Sequence, residues 1–285
     1  MKREQTPDLP DHEIYALRYA TRGAKRSDNF LGGDPHDGPM PMDYFVWYIK
    51  SATGIVVVDT GFTKDMAEKR GRDYIASPGD VLRKAGVNPA EVKNVVLSHL
   101  HYDHAGNLDQ FPKAQFHIQD DEVAYATGRH MTQPRLRHPF EVEDVVSLLR
   151  LVYRERVTFY QGDAELSPGI TLHRIGGHSV GLQCVRVSTA RGWVVLAADT
   201  THFYENYLER KVFPQVFNVG DTLDGYRTIL NLAASPDHII PGHDPMVMKL
   251  YSAPSPELAG ISVRVDVPPK ASARSLMPTH HDHRH

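Results

Sequence analysis

Cysteine is almost missing from this chain. The single Cys184 excludes an internal disulfide and any zinc site built from several thiolates. It falls in the alternating stretch LQCVRV, which reads as a buried strand position and not as a catalytic thiol. Long apolar runs are missing too. None reaches the ~20 residues of a membrane-spanning helix, and Met1–Pro10 lacks the apolar core of a signal peptide. Nor is there an excess of positive charge: a formal net charge of −3 leaves no basic footprint for nucleic acid. Neither a nucleic acid nor a membrane is therefore expected as a partner, and a reducing cytoplasm suits the composition. What remains is 285 residues, 41% hydrophobic and 24% charged, enough for one large domain, or two small ones fused face to face, with a substantial core.

Two stretches echo one another. Residues 44–60, YFVWYIKSATGIVVVDT, read as two β-rich runs around a Thr-Gly turn, and residues 184–200, CVRVSTARGWVVLAADT, follow the same plan. Both end in Asp-Thr, so two similar halves, each a sheet fed by a hairpin, are expected. Helical patterns lie between and after them. SPGDVLRKAG starts at a Ser-Pro cap and closes on Gly86. EVEDVVSLLRLVY sets Val142, Val145, Val146, Leu149 and Val152 at helical spacing. DTLDGYRTILNLAAS opens on Asp221-x-x-Asp224 and carries Leu223, Tyr226, Ile229, Leu230 and Ala233. Strands mixed with helices indicate an α/β architecture. Residues 21–42 and 127–140 read as long loops of the kind that gather binding residues. A domain over residues 1–251 and a loosely docked, Pro-rich tail over 252–285, ending in HHDHRH, complete the layout.

The informative stretch is SHLHYDHAGN, Ser98 to Asn107, which crowds His99, His101, Asp103 and His104 into six positions. It follows the strand-like NVVLS, and α/β folds place ligands at the carboxyl ends of strands. Three more strand ends deliver residues of the same type: ITLHRIGGHS brings His178, WVVLAADT brings Asp199, and HIIPGHDP brings His243. In a chain with 17 histidines, one cluster alone is compatible with accidental polarity in a loop; four strand ends are harder to explain that way. Imidazole and carboxylate without thiolate suit zinc, iron or manganese. Five histidines and two aspartates are too many for one tetrahedral ion and right for two, with a carboxylate and a water shared between them. His117, His130, His138, His173 and His238 show no such spacing and read as packing or surface residues.

HLHYDH together with His178, Asp199 and His243 resembles the metallo-β-lactamase superfamily of hydrolases, over about residues 42–250. The resemblance implies a four-layer αβ/βα sandwich of two similar halves. It implies His99, His101 and His178 around a first metal and Asp103, His104 and His243 around a second, with Asp199 bridging. VVVDTG is similar to the family's early strand, whose aspartate, Asp59 here, orients the ligand loop from behind; by its residues alone Asp59 could equally cap a turn. Two divalent ions are expected, zinc first, with iron, manganese or cobalt as alternatives.

Within the superfamily SHLHYDHAGN, GGHSVGLQ and PGHDP most resemble the N-acyl-homoserine lactonases, which open a lactone ring and so silence a quorum signal. The implied reaction is attack on the ester carbonyl by a hydroxide bridging the two metals, with Asp103 and Asp199 at the reacting centre. Such lactonases carry a tyrosine three residues after the bridging aspartate. Here that position is His202, and Tyr204 is the nearest tyrosine, so either one is a candidate to hold the carbonyl. Met42, Phe45, Phe203, Tyr207 and Phe213, with Met40, are candidates for an acyl-chain pocket, with ordinary core packing as the competing explanation. Another lactone, a cyclic amide or an ester stays open as substrate, and a thioesterase or an iron-dependent redox enzyme is the less favoured reaction class. A non-catalytic binding protein is disfavoured because all seven ligand positions are filled. A dimer is expected over a monomer on the resemblance alone.

Overall fold

The structure, a computed structural model, describes residues 9–35 and 37–277. Thirteen strands run through it: Glu13–Arg22 (β1), Met42–Ser51 (β2), Gly54–Val58 (β3), Asp73–Tyr74 (β4), Asn94–Val96 (β5), Gln115–Gln119 (β6), Val157–Tyr160 (β7), Ala164–Ser167 (β8), Ile170–Arg174 (β9), Gln183–Thr189 (β10), Gly192–Ala198 (β11), Ile239–Pro241 (β12) and Ser262–Arg264 (β13). They form two sheets. One has the order β13-β1-β2-β3-β5-β6-β7 with β4 on β1, and the other β12-β11-β10-β9-β8. The echoed stretches are the central hairpins, β2 on β3 and β10 on β11, both antiparallel. The second strand of each then takes a parallel neighbour, β5 beside β3 and β12 beside β11.

The period of two along β2 shows why four layers form. Phe45, Trp47 and Ile49 join a core shared with Leu172, Val185 and Leu196 of the other sheet. The alternate residues Tyr44, Val46 and Tyr48 pack instead with Ala67, Val81, Leu82, Val145 and Leu148 from the helices outside. Both faces of the strand are buried, so a helix layer is required on its outer side. Helix Val219–Leu232 and helix Met246–Leu250 supply Tyr226, Ile229 and Val247 to the second sheet's core in the same way. Among the described residues no helix is long and apolar enough to cross a membrane.

Several boundaries differ from the sequence pattern. In helix Val142–Val152 the buried residues are Val145, Leu148 and Leu151, while Val142 is 64% exposed. The β-branched residues suggest one stripe, and the packing against β7 and the short helix Tyr102–Ala105 selects another. Helix Val219–Leu232 is capped by Asn218, whose side chain accepts from the Asp221 amide, and Leu223 is partly exposed. The cap at Ser77 and the close at Gly86, with φ of +84°, stand where the sequence puts them. Residues 252–277 are not loose. β13 pairs with β1, Asp266 accepts from the Ile14 amide at 3.0 Å, and Val265 and Ala273 sit in the core. Prolines made this segment look like a tail, but its few apolar residues find an open sheet edge. The terminal HHDHRH lies outside the described residues.

A helix face read from packing is directly testable. Leu148→Ala is expected to cost about 2–5 kcal/mol and Val142→Ala less than about 0.5 kcal/mol in urea unfolding. Equal losses would contradict the packing register.

Candidate metal centre

The centre is assembled where β3, β5, β9, β11 and β12 end. Asp59 follows β3 in the left-handed region, with φ of +61°, and is fully buried. A carboxylate in that position is costly unless satisfied, and it is well satisfied. Asp59 accepts from the Ser98 amide at 2.7 Å and the Ser98 hydroxyl at 2.8 Å, and lies 2.7 Å from His104 Nδ1. Thr60 ties the same loop from behind, its amide and hydroxyl donating to the His104 carbonyl and its hydroxyl also to Gly106. The second sheet repeats the device: Ala198, just before Asp199, has φ of +44°.

Each ligand-type histidine of the sequence pattern is buried, and most are oriented through the nitrogen that faces away. His178 Nδ1 lies 2.5 Å from the Gln215 carbonyl, and His243 Nδ1 lies 2.9 Å from the Asp43 carbonyl. A carbonyl cannot donate, so Nδ1 carries the hydrogen in both and Nε2 is left to face inward. His104 is set the same way by Asp59, and His99 Nδ1 meets Ser98 Oγ at 3.0 Å. The ring of His101 rests edge-on against Phe140 with centroids 4.7 Å apart.

The inward nitrogens converge on Asp199. Its Oδ1 lies 3.0 Å from His243 Nε2 and 3.3 Å from His104 Nε2; its Oδ2 lies 3.1 Å from His178 Nε2 and 3.9 Å from His99 Nε2. Asp103 stands 3.7 Å from both His104 Nε2 and His243 Nε2. The potential ligand atoms of His99, His101 and His178 lie within 4.8 Å of one another, as do those of Asp103, His104 and His243. The donor set fits cations. His104 Nε2 and Asp199 Oδ1 are buried with no hydrogen-bond partner, and two ring nitrogens, His99 Nε2 and His178 Nε2, face each other at 3.2 Å. Burial pushes His99 and His101 well below the ordinary imidazole range. Burial also opposes charge on His104, but Asp199, Asp103 and Asp59 outweigh it and hold that group well above. Against its own burial, Asp199 is held well below the usual carboxylate range by His243, His104, His202 and His178.

His202 joins the cluster. Its Nε2 is 3.0 Å from Asp199 Oδ2, its ring stacks on Phe213 at 3.7 Å, and burial lowers it to about 4. Tyr204 does not join. Its side chain is packed in the core, with Tyr207 alongside, because helix Tyr204–Glu209 turns it away from the cavity. A cavity of about 250 Å³ opens over the cluster, with Met42, His101, His178, Asp199, His202 and His243 in its wall. Of the residues expected around an acyl chain, only Met42 lines it. Phe45 and Tyr207 belong to the core between and behind the sheets. Phe203 is fully buried away from the cavity wall, and Phe213 touches the site only through His178 and His202. Alternation along a strand or helix, invisible in composition, decides these placements.

Glu122 was not singled out by the sequence. Fully buried, it accepts from the Leu100 amide at 2.9 Å, the Ser179 hydroxyl at 2.7 Å and the Gly181 amide at 2.9 Å. It thereby staples the His99–His101 loop to the His178 loop. Burial raises its pKa, and these three donors oppose the rise. The only signal was glycine: a Cβ on Gly181 would lie 2.1 Å from the Glu122 nitrogen. Gly242 is under a similar constraint, since its Cβ would lie 2.6 Å from Asp199 Oδ1.

Comparison with known proteins agrees with this geometry. The chain is 34% identical over 140 residues to the N-acyl homoserine lactonase AiiB of Agrobacterium fabrum (strain C58), covering 44% of this chain and 46% of that protein. It thus spans less than half the length of that relative. To the N-acyl homoserine lactonase AiiA of Bacillus thuringiensis subsp. kurstaki it is 26% identical over 190 residues, 59% of this chain and 68% of that protein. A crystal structure of a quorum-quenching N-acyl homoserine lactone lactonase superposes with a TM-score of 0.70 at 21% identity, covering 84% of this chain and 95% of that one; at this identity the likeness is one of fold. The model of the metallo-beta-lactamase superfamily matches residues 40–243, a span that runs from β2 to the last inward histidine, and the chain belongs to that superfamily.

Proposed function

We propose that this protein is a dinuclear metal-dependent hydrolase that opens lactone rings, with N-acyl-homoserine lactones as the first substrates to try. The observation that carries the proposal is the division of Asp199: one oxygen faces His104 and His243, the other His99 and His178. A carboxylate so placed suits a bridge between two ions. In this assignment His99, His101 and His178 hold the first ion, and Asp103, His104 and His243 the second. Imidazole and carboxylate donors accept zinc, and also iron, manganese or cobalt; zinc is the proposed occupant. Ions held there would supply Lewis acidity and a water acidic enough to act as a nucleophile near neutral pH.

The chain's own residues do the rest. His202, stacked on Phe213 and 3.0 Å from Asp199, stands in the cavity wall, where its one N–H, on the Nε2 that faces Asp199, would be shared with an ester carbonyl oxygen once ions engage that carboxylate. Asp103, in the cavity wall with one oxygen toward His104 and His243, is the carboxylate left with an oxygen to receive the nucleophile's proton and return it to the leaving alkoxide. Asp59 and Glu122 keep the ligand loops in register without touching substrate, acting through Ser98, His104, Leu100 and Gly181. The lactonase names of the relatives support the choice of a lactone over other esters.

Two experiments test the assignment. His101→Ala and Asp199→Ala are each expected to abolish ring opening, followed by proton release, and to lower bound metal in elemental analysis. Chelation of the wild type should do the same, and added zinc should restore both. Normal turnover in either variant would reject the site. His202→Ala is expected to lower kcat/KM by about 10²-fold, whereas Tyr204→Phe, altered away from the cavity, should leave it within about twofold. The reverse pattern would assign the role to Tyr204.

A further inference from the structure

The mouth of the cavity is lined by arginine. Arg22, Arg70, Arg72 and Arg135 all contribute to its wall, arriving from three separate segments of the chain. Arg22 is the last residue of β1, Arg135 stands in the short helix Pro134–Arg137, Arg70 ends helix Lys64–Arg70 and Arg72 follows it. Surface arginines normally find a carboxylate nearby, and these do not. Among the described residues no carboxylate stands within ion-pair distance of Arg22, Arg72 or Arg135, and Arg70 has only Glu141 at 3.9 Å. Arg22 and Arg72 are half-buried, and Arg22 Nε is buried with no hydrogen-bond partner. A guanidinium that loses water without gaining a partner carries a desolvation cost, which a ligand oxyanion would offset.

Arg72 is also held in place. Its Nε donates to the Tyr102 hydroxyl at 3.0 Å and its Nη1 to the Arg70 carbonyl at 2.6 Å. Its guanidinium sits 5.9 Å from the Tyr44 ring centroid and 6.0 Å from that of Tyr102. Both tyrosines line the cavity. Such a fixed, planar donor matches a carboxylate or phosphate and gains nothing from an alkyl chain. Among the described residues no acidic side chain in the wall forms an ion pair with Arg22 or Arg72: Asp103, whose charge reaches Arg72, and Asp199 lie with the inward histidines, and Asp28 is exposed at the rim and accepts from the Lys25 amide. The aromatic residues expected to hold an acyl chain are, as shown above, withdrawn into the core.

We propose that the substrate carries an oxyanion group, a carboxylate or a phosphate, on the part remote from the scissile ester, and that Arg22 and Arg72 bind it. The proposal rests on the hydrolase reading above and narrows its substrate class. Three homoserine lactones matched in length would be compared on the zinc-loaded protein: N-hexanoyl, N-adipoyl with a terminal carboxylate, and N-(5-phosphonopentanoyl). At least one anionic lactone is expected to exceed the hexanoyl compound in kcat/KM by about tenfold or more, and the better of the two identifies the group. In Arg22→Gln and Arg72→Gln that ratio should fall towards one, while Arg83→Gln, at an exposed position of helix Pro78–Lys84, keeps it. Folding of each variant is checked by metal content and Tm. A ratio of one or below in the wild type, or one that survives both cavity substitutions, overturns the proposal. Binding of the ring-opened products separates the two readings. If no lactone is hydrolysed but ring-opened N-adipoyl-homoserine still binds about tenfold tighter than ring-opened N-hexanoyl-homoserine, and does so only with Arg22 and Arg72 present, the arginine site stands and the lactonase reading falls. Equal binding of the two products would remove the arginine site as well.

Discussion

Everything in this molecule is organised around the carboxylate of Asp199, buried among imidazole nitrogens of which those of His104, His178 and His243 have no hydrogen to offer it unless they are charged. Left to itself such a cluster is in conflict: imidazoles crowd together where water is largely excluded, and His104 and His243 must hold protons against their burial to satisfy Asp199. Cations resolve the conflict, and the surrounding chain is built to keep it unresolved otherwise. Nδ1 of His178 and His243 is committed to a backbone carbonyl and that of His104 to Asp59. The rings therefore cannot swing away to find partners elsewhere.

That constraint explains features of the fold distant from the reacting atoms. Two residues with positive φ, Asp59 and Ala198, turn the chain sharply at the end of a central strand in each sheet. Gly181 and Gly242 let backbone approach Glu122 and Asp199 more closely than any side chain would allow. Glu122 links the loops after β5 and β9 with three hydrogen bonds. The sandwich gives these devices rigid mounts, because β3, β5, β11 and β12 are buried on both faces by the opposite sheet and by helices.

The cavity above the cluster follows a different logic. Its floor is set by the candidate ligands, but its mouth is made where elements end, by Arg22 at the close of β1, Arg70 at the close of helix Lys64–Arg70 and Arg135 in the short helix Pro134–Arg137. Arginines held by tyrosine rings and backbone carbonyls, and lacking carboxylate partners, give that mouth a positive character that the chain's formal charge of −3 conceals. Local arrangement and total charge are separate quantities, and recognition depends on the first.

That these residues would gather was legible in the sequence because metal chemistry demands particular side chains: HLHYDH, His178, Asp199 and His243 stand out by residue type and by their places at strand ends, and the structure brings them together. The hairpins were legible for a similar reason, since alternation and turn residues act locally. Which face of helix Val142–Val152 is buried, whether Phe45 or Met42 meets the cavity, and whether His202 or Tyr204 stands beside Asp199 were not. Each depends on the direction of a side chain relative to elements far away in the chain. Glu122 was hidden because a buried carboxylate in DDEVAY looks like any exposed acid until the loops that donate to it are brought together. The order of chemical types along the chain determined that cations could be held here. Only tertiary packing decided what else the site would meet, because pocket walls are made by contacts between segments that no local pattern encodes.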